Sequence, residues 1–241
     1  MYSFDSRIRF SEIGKDGRLT IESLIDYFQD CSTFQTEDSA TPMAYLDERD
    51  LAWVVSSWQI EINNMPGIGE RVIAGTVPYD IRGFIGYRNF FLDNKETGER
   101  YAVANSIWSL IDIKKGVPVR VNDEIKNSYP LEDKLDMDYG DRKIKLPKDQ
   151  EGETKKDILI TEQYLDTNNH VNNAKYIQMA IDSIGDEKAS YKHIRAEYRK
   201  QALYGDVIIP LVFIAKKGNN IIYTVALNDK ELKPYCIVEL M

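Results

Sequence analysis

The stretch Tyr164-Leu165-Asp166-Thr167-Asn168-Asn169-His170-Val171-Asn172-Asn173-Ala174-Lys175-Tyr176-Ile177 decides the reading of this chain. It sets a carboxylate, an imidazole and several amides directly ahead of an apolar helical pattern. His170 is one of only 2 histidines. Asp166, Asn168 and His170 are spaced i, i+2, i+4, so an extended or irregular backbone can turn all three to one side. The helix that follows presents backbone N–H groups at its N-terminus, which suit a developing negative charge. Val171, Asn172 and Asn173 are the candidate donors. A base, an orienting carboxylate and oxyanion donors in one place make a candidate acyl-transfer site.

Outward from this stretch, the spacing predicts a helix from about Asn172 to Ile184, stopped by Gly185. Ile177, Ala180, Ile181 and Ile184 fill the i, i+3, i+4, i+7 template. Ile21, Leu24, Ile25 and Phe28 fill it too, in a helix from Thr20, the candidate N-cap, to about Thr33. The two patterns superpose at an offset of 156 residues (Ile21 over Ile177), which reads as a domain duplication. Strand-like segments follow each helix: 52–62, 71–79, 86–93 and 101–113, then 191–201, 206–216, 221–227 and 235–240. One helix plus several mostly antiparallel strands, repeated, is an α+β arrangement. The expected organisation is an N-terminal half, 1–126, a linker, 127–156, and a C-terminal half, 157–241. The linker is polar and dense in charge, and its one regular feature is a short segment at Lys143–Leu146.

Composition narrows the class. The chain has 241 residues and 43% hydrophobic content, ordinary for a globular protein. Its apolar runs fall far short of the ~20 residues a membrane span requires. The opening Tyr2-Ser3-Phe4-Asp5 lacks a signal-peptide pattern. Cys31 and Cys236 imply no disulfide framework, so a cytoplasmic location is expected. There is no CxxC, P-loop, GxGxxG or HExxH pattern, and neither metal nor cofactor is expected. A net charge of −8 argues against nucleic acid as a partner.

Asp-x-Asn-x-His-Val-Asn-Asn-x-Lys-Tyr-Ile, read over 166–177, resembles the second-half signature of the acyl-acyl-carrier-protein thioesterases. Its shorter form, Asn-x-His-Val-Asn-Asn-x-x-Tyr, also occurs in single hot-dog acyl-CoA thioesterases. The resemblance implies a tandem, double hot-dog fold, each half a mostly antiparallel sheet wrapped around a central helix. It implies hydrolysis of fatty acyl-carrier-protein thioesters to free fatty acid, ending fatty-acid synthesis. The partners would be an acylated acyl carrier protein and its fatty acyl chain. One chain would supply what single hot dogs build by dimerising, which leaves monomer and homodimer both open.

A second resemblance lies at Glu197-Tyr198-Arg199-Lys200-Gln201-Ala202, where plant members have Glu-Tyr-Arg-Arg-Glu-Cys. Gln201 and Ala202 replace the last glutamate and the cysteine, so a thiol nucleophile is excluded at this place. The Gln201 amide can still orient water or His170. By strand alternation His193, Arg195, Glu197, Arg199 and Gln201 share a face, with Arg195, Glu197 and Arg199 readable as a solvated charge ladder. Two acidic proteins repel, so carrier docking would need local cations. Lys192, Arg195, Arg199 and Lys200 are the densest such cluster near the motif.

His170 is the candidate proton acceptor and donor. Asp166 is candidate nucleophile, water-activating base or orienter of His170, and the residues leave these open. Asn168 is a candidate for holding a water or carbonyl. At the 156-residue offset these three fall opposite Phe10, Glu12 and Gly14, and residues 1–150 contain no histidine. The first half is therefore expected to bind the acyl chain, with Trp53, Val55, Trp58 and Ile60 as pocket candidates that an ordinary core would equally contain. Alternative readings are an acyl-CoA thioesterase and a non-catalytic acyl-binding or regulatory hot-dog protein. A hot-dog dehydratase would draw its acid from a separate helix position, which the sequence does not offer.

Overall fold

The computed structural model describes residues 1–147, 149–186 and 190–241. The chain forms two compact units, residues 1–56 with 60–139 and residues 57–59 with 140–241. The boundary at 139/140 falls inside the stretch read as linker, and Lys148 of that stretch lies outside the described residues.

The first unit contains β1 (Tyr2–Arg7), α1 (Ile21–Glu37), α2 (Met43–Asp47), β2 (Leu51–Ile62), β3 (Arg71–Arg82), β4 (Ile85–Asn94), β5 (Arg100–Asp112), β6 (Val117–Pro118) and α3 (Asp123–Asn127). Residues 57–59 of β2 count with the second unit. The sheet order is β1-β3-β4-β5-β2, and the pairs β1–β3, β3–β4 and β4–β5 are antiparallel. α1 packs on β1, β3 and β4. It starts where Thr20 accepts a hydrogen bond from Ser23 N at 3.1 Å. Leu24, Ile25, Phe28 and Cys31 are buried along it, and the Phe28 ring meets Phe90 at 5.4 Å between centroids.

α1 runs past the expected end at Thr33. Its last turns bury polar side chains, which an apolar template does not register. Gln35 Oε1 accepts from the buried Arg88 Nη1 at 2.6 Å, and Thr36 Oγ1 lies 3.1 Å from Tyr129 Oη. β1 escaped the sequence reading for a related reason. It is an edge strand with every second residue exposed and little apolar signal.

The second unit contains β7 (Glu153–Thr154), β8 (Ile158–Leu159), α4 (Asn173–Ile184), β9 (His193–Tyr198), β10 (Val207–Lys217), β11 (Asn220–Asn228) and β12 (Pro234–Leu240). Its sheet order is β9-β12-β11-β10-β7, with β8 also on β10. The pairs β12–β9, β11–β12, β10–β11 and β10–β7 are antiparallel. α4 packs on β10, β11 and β12. Asn172 caps its start by accepting from Ala174 N at 2.8 Å, and Gly185, at φ +70°, ends it in the left-handed conformation.

The two units repeat one plan, and their hydrogen bonds correct the offset between them. Gly14 N donates to Arg18 O at 2.8 Å, as Asp166 N does to His170 O at 2.8 Å. Gly17 N donates to Gly14 O (3.0 Å), as Asn169 N does to Asp166 O (3.1 Å). Thr20 N donates to Glu12 O (3.0 Å), as Asn172 N does to Tyr164 O (2.9 Å). Bridges Ile13–Leu19 and Leu165–Val171 close the two turns. The offset here is 152 residues (14 to 166, 20 to 172), not 156. The difference is close to one helical turn of about 3.6 residues, and a periodic apolar pattern is blind to a shift of one turn.

The expected regular segment at Lys143–Leu146 is irregular. Ile144 is 3% exposed, and its N–H goes to the Glu197 carboxylate (Oε2, 2.8 Å) rather than to a strand. Tyr129, also within the expected linker, is buried in the first unit's core.

Candidate active site

The site is built on the turn between Leu165 and Val171, just ahead of α4. It is a tight turn rather than an extended run. Asp166 Oδ1 accepts from Asn168 N at 2.8 Å and from His170 N at 3.2 Å. The carboxylate therefore holds His170 through its backbone, and the expected orientation of the imidazole by the carboxylate has no hydrogen bond behind it. Asn169 takes φ +59° at the tip, a conformation asparagine tolerates better than most residues. Asp166 and His170 are half-buried and Asn168 is exposed.

The corrected offset puts Gly14, Asp16 and Arg18 of the first unit opposite Asp166, Asn168 and His170. The same backbone turn thus exists twice. Only the second copy carries an imidazole.

The candidate oxyanion donors need correction. Val171 N donates to Ala202 O at 3.1 Å, and Asn172 N donates to Tyr164 O at 2.9 Å. Both groups close the turn, and neither is left for a substrate. Asn173 begins α4, and its carbonyl accepts from Tyr198 Oη at 2.9 Å. Among the polar groups the turn does not use are the carboxamide of Asn168 and the ring of His170, which make no hydrogen bond among the described residues.

Gln201 reaches the same neighbourhood through its neighbour. Ala202 O is the acceptor for Val171 N, so Gln201 lies next to the residue bonded beside His170. Gln201 is exposed, whereas Ala202 is 0% exposed. Neither cysteine is a nucleophile. Both are buried; burial pushes the Cys31 thiol up to about 12 and the Cys236 thiol well above its ordinary value.

Of the expected charge ladder, Glu197 is buried, Arg195 half-buried and Arg199 exposed, and β9 ends at Tyr198, before Arg199 and Gln201. Glu197 is 8% exposed. Arg199 grips both of its oxygens at 3.1 Å (Nε to Oε1, Nη2 to Oε2), and Ile144 N adds a third bond. Arg195 pairs with Glu239 at 2.8 Å and donates to Asp141 O at 2.6 Å. Lys200 pairs with Asp229 and sits over the Tyr235 ring. Lys192 is exposed. Of the acyl-pocket candidates, Val55, Trp58 and Ile60 are buried. Trp53 is half-buried against Leu46, Leu110, Ile125 and Tyr129.

Two residues that the sequence reading left unassigned stand out. Tyr176 Oη accepts from Ala202 N at 2.8 Å, and Asp206 Oδ2 accepts from Leu203 N at 2.9 Å. The sequence marks Tyr176 only by its place in the 164–177 stretch. Among the described residues no group of His, Cys, Asp and Glu is arranged to hold a metal, and no helix is long and apolar enough to cross a membrane.

A helix on an antiparallel sheet, repeated, with an Asp-x-Asn-x-His turn in the second copy, defines a double hot-dog protein. Comparison with known proteins carries this to a family. Residues 1–129 match the acyl-ACP thioesterase N-terminal domain, and residues 147–233 match the acyl-ACP thioesterase C-terminal domain. The chain belongs to the acyl-ACP thioesterase family. An acyl-[acyl-carrier-protein] hydrolase of Cuphea viscosissima is 26% identical over 226 residues, covering 88% of this chain and 54% of that protein. The oleoyl-acyl carrier protein thioesterase 1 of Arabidopsis thaliana is 26% identical over 220 residues, covering 83% and 60%. The chain thus spans little more than half the length of these plant relatives. Among solved structures, a 12:0-ACP thioesterase from Umbellularia californica superposes with a TM-score of 0.86 at 18% identity, covering 99% of this chain and 95% of that one. An acyl-ACP thioesterase from Bacteroides thetaiotaomicron gives 0.84 at 21% identity, covering 99% and 96%.

Proposed function

We propose that this chain hydrolyses the thioester of a fatty acyl-acyl carrier protein, releasing free fatty acid. The observation that carries the reading is the duplicated turn. Gly14–Arg18 and Asp166–His170 share one backbone, and only the second copy holds an imidazole and an unengaged amide.

In this mechanism His170 takes a proton from water as the water oxygen attacks the thioester carbonyl. The carbonyl oxygen becomes an oxyanion, and the Asn168 carboxamide donates to it. Backbone donors at the start of α4 are not invoked, because Val171 and Asn172 have spent theirs. The tetrahedral intermediate collapses with cleavage of the carbon–sulfur bond. His170 returns the proton to the leaving thiolate, and the products are carboxylic acid and carrier thiol. Asp166 keeps the turn and adds negative charge beside the imidazolium that forms. Gln201 is proposed to orient the water or His170. The first unit, with Val55 and Ile60, is proposed to set which acyl lengths are accepted.

Single-turnover assays with acyl-acyl carrier protein, acyl-CoA and 3-hydroxyacyl thioesters test the reading. Hydrolysis of the carrier-bound substrate, with His170→Ala slower by roughly 10²-fold, is the expected outcome. Preference for acyl-CoA would move the assignment to the other carrier. Acyl binding without turnover would make the chain a binding protein.

A further inference from the structure

Ala202 is held at both of its peptide groups. Its carbonyl accepts from Val171 N at 3.1 Å, and its own N–H donates to Tyr176 Oη at 2.8 Å. Ala202 is 0% exposed and Tyr176 2%. The Tyr176 ring meets the Tyr198 ring edge to face at 5.9 Å between centroids. Tyr198 is itself fixed, since its hydroxyl donates to Asn173 O at 2.9 Å. The Tyr176 hydroxyl is therefore set in place by packing and aimed at one backbone amide.

The duplication supplies an internal comparison. The carbonyl arm recurs in the first unit, where Leu19 N donates to Pro66 O at 2.9 Å. Neighbouring bonds confirm that Pro66 and Ala202 correspond. Gly67 N donates to Glu70 Oε1 at 2.8 Å, as Leu203 N does to Asp206 Oδ2 at 2.9 Å. Gly69 N donates to Ile8 O, as Gly205 N does to Ile160 O. The hydroxyl arm does not recur. Pro66 has no N–H, and the residue opposite Tyr176, at the 152-residue offset, is Leu24. The fold reaches the same backbone without this bond. The bond exists only in the copy that carries Asp166, Asn168 and His170.

Building on the hydrolase reading above, we propose that Tyr176 is a positioning residue. Its hydroxyl, acting through the Ala202 amide, fixes Gln201 beside His170. The Gln201 side chain is exposed and makes no hydrogen bond among the described residues, so its placement depends on the backbone at 201–202. Without the hydroxyl, Gln201 and Ala202 would keep one backbone hydrogen bond, the Ala202 carbonyl to Val171 N, between anchors at Lys200 N (to Tyr235 O, 3.3 Å) and Leu203 N (to Asp206 Oδ2, 2.9 Å), and the 201–202 peptide would be free to tilt.

Two variants remove the bond from opposite ends. Tyr176→Phe keeps the ring packing and removes the acceptor. Ala202→Pro removes the donor and copies the first unit's Met65-Pro66. Each is expected to lower kcat by about tenfold, the scale of one buried hydrogen bond. KM for the acyl thioester should change by less than about twofold, since the bond acts on orientation rather than on ground-state binding. The double variant should be no slower than either single one, and Tyr176→Phe should add little to Gln201→Ala. Hydrogen exchange at the Ala202 amide, read without substrate, should quicken in Tyr176→Phe. Wild-type kcat in either single variant, unchanged exchange at Ala202, or losses that multiply in the double variants would overturn the positioning role alone. No turnover of any thioester by the wild type would overturn the hydrolase reading and the positioning role with it.

Discussion

Asn169 and Gly17 hold the same place in two copies of one turn. Their φ values are +59° and +73°, and each donates its N–H to the carbonyl three residues back, Asp166 and Gly14. A left-handed conformation costs most L-residues about 1–2 kcal/mol, glycine nothing, and asparagine something between. Asn169→Gly should leave stability unchanged or slightly raised, while Asn169→Ala should lower it by about 0.5–1 kcal/mol. Urea titrations of both variants check this. Equal midpoints for the two would show that the turn does not hold residue 169 left-handed in solution.

Asp166 carries two duties that one substitution separates. Its Oδ1 binds two backbone N–H groups, and its charge lies on the same turn as His170. Asp166→Asn keeps a carbonyl oxygen for the turn and loses the charge. Asp166→Ala loses both. Turnover should fall by roughly 10²-fold in each, the scale of a lost acid–base or charge-stabilising group. The melting temperature should fall clearly only in Asp166→Ala. Near-normal turnover in Asp166→Asn would reduce this residue to a turn-former.

Glu70 gives a signed prediction about pH. Tyr101 Oη donates to its Oε2, and Gly67 N donates to its Oε1 at 2.8 Å. The tyrosine bond first, then the Gly67 bond, hold the carboxyl below its ordinary 4.5. A carboxyl whose pKa is lower folded than unfolded stabilises the fold above the unfolded value. That contribution disappears as pH falls through the folded value. Glu70→Gln should therefore be less stable than wild type at pH 7, and the gap should close below about pH 4. A gap that stays constant from pH 7 to pH 3 would refute the charge-based account. The second unit repeats the device with Tyr235 Oη on Asp206 Oδ2 at 3.1 Å; burial, then that bond, pushes Tyr235 up to about 12.

Much of this architecture was legible because the signals were local. Thr20 and Asn172 are capping residues and cap, Gly185 stops α4, and the strands following each helix lie close to where alternation put them, except that β9 covers only His193–Tyr198 of the expected 191–201. Asp166, Asn168 and His170 were legible as a cluster of reactive types in a short span. What sequence could not supply was where their backbone N–H groups go. Val171 and Asn172 look like helix-start donors until Ala202 and Tyr164, distant in sequence or in turn geometry, are seen to accept from them. Glu197 reads as solvated because its face of β9 is polar; its partner, the Ile144 amide, comes from 53 residues earlier, in the stretch read as linker. Tyr176 was hidden in plain sight, since a tyrosine at a core helical position reads as packing until its hydroxyl is placed.

Carrier docking separates Lys192 from Arg199, two members of the same basic cluster. Arg199 grips Glu197, which is 8% exposed, with two bonds. Arg199→Glu would set a like charge against a buried carboxylate and disturb the Ile144 contact. It should harm turnover of acyl-acyl carrier protein and of a small acyl thioester equally, and salt should not rescue it. Lys192 is exposed, and the groups that hold Glu197 are Arg199 and the Ile144 amide. Lys192→Glu should raise KM for the acidic carrier-bound substrate and spare the small thioester. The effect should shrink as salt approaches 0.5 M, where the Debye length is only about 4 Å. Equal KM for both substrates in Lys192→Glu, at low and high salt alike, would remove Lys192 from the docking surface. A carrier-specific, salt-sensitive loss in Arg199→Glu would instead show that the Glu197 grip leaves Arg199 enough charge to attract the carrier.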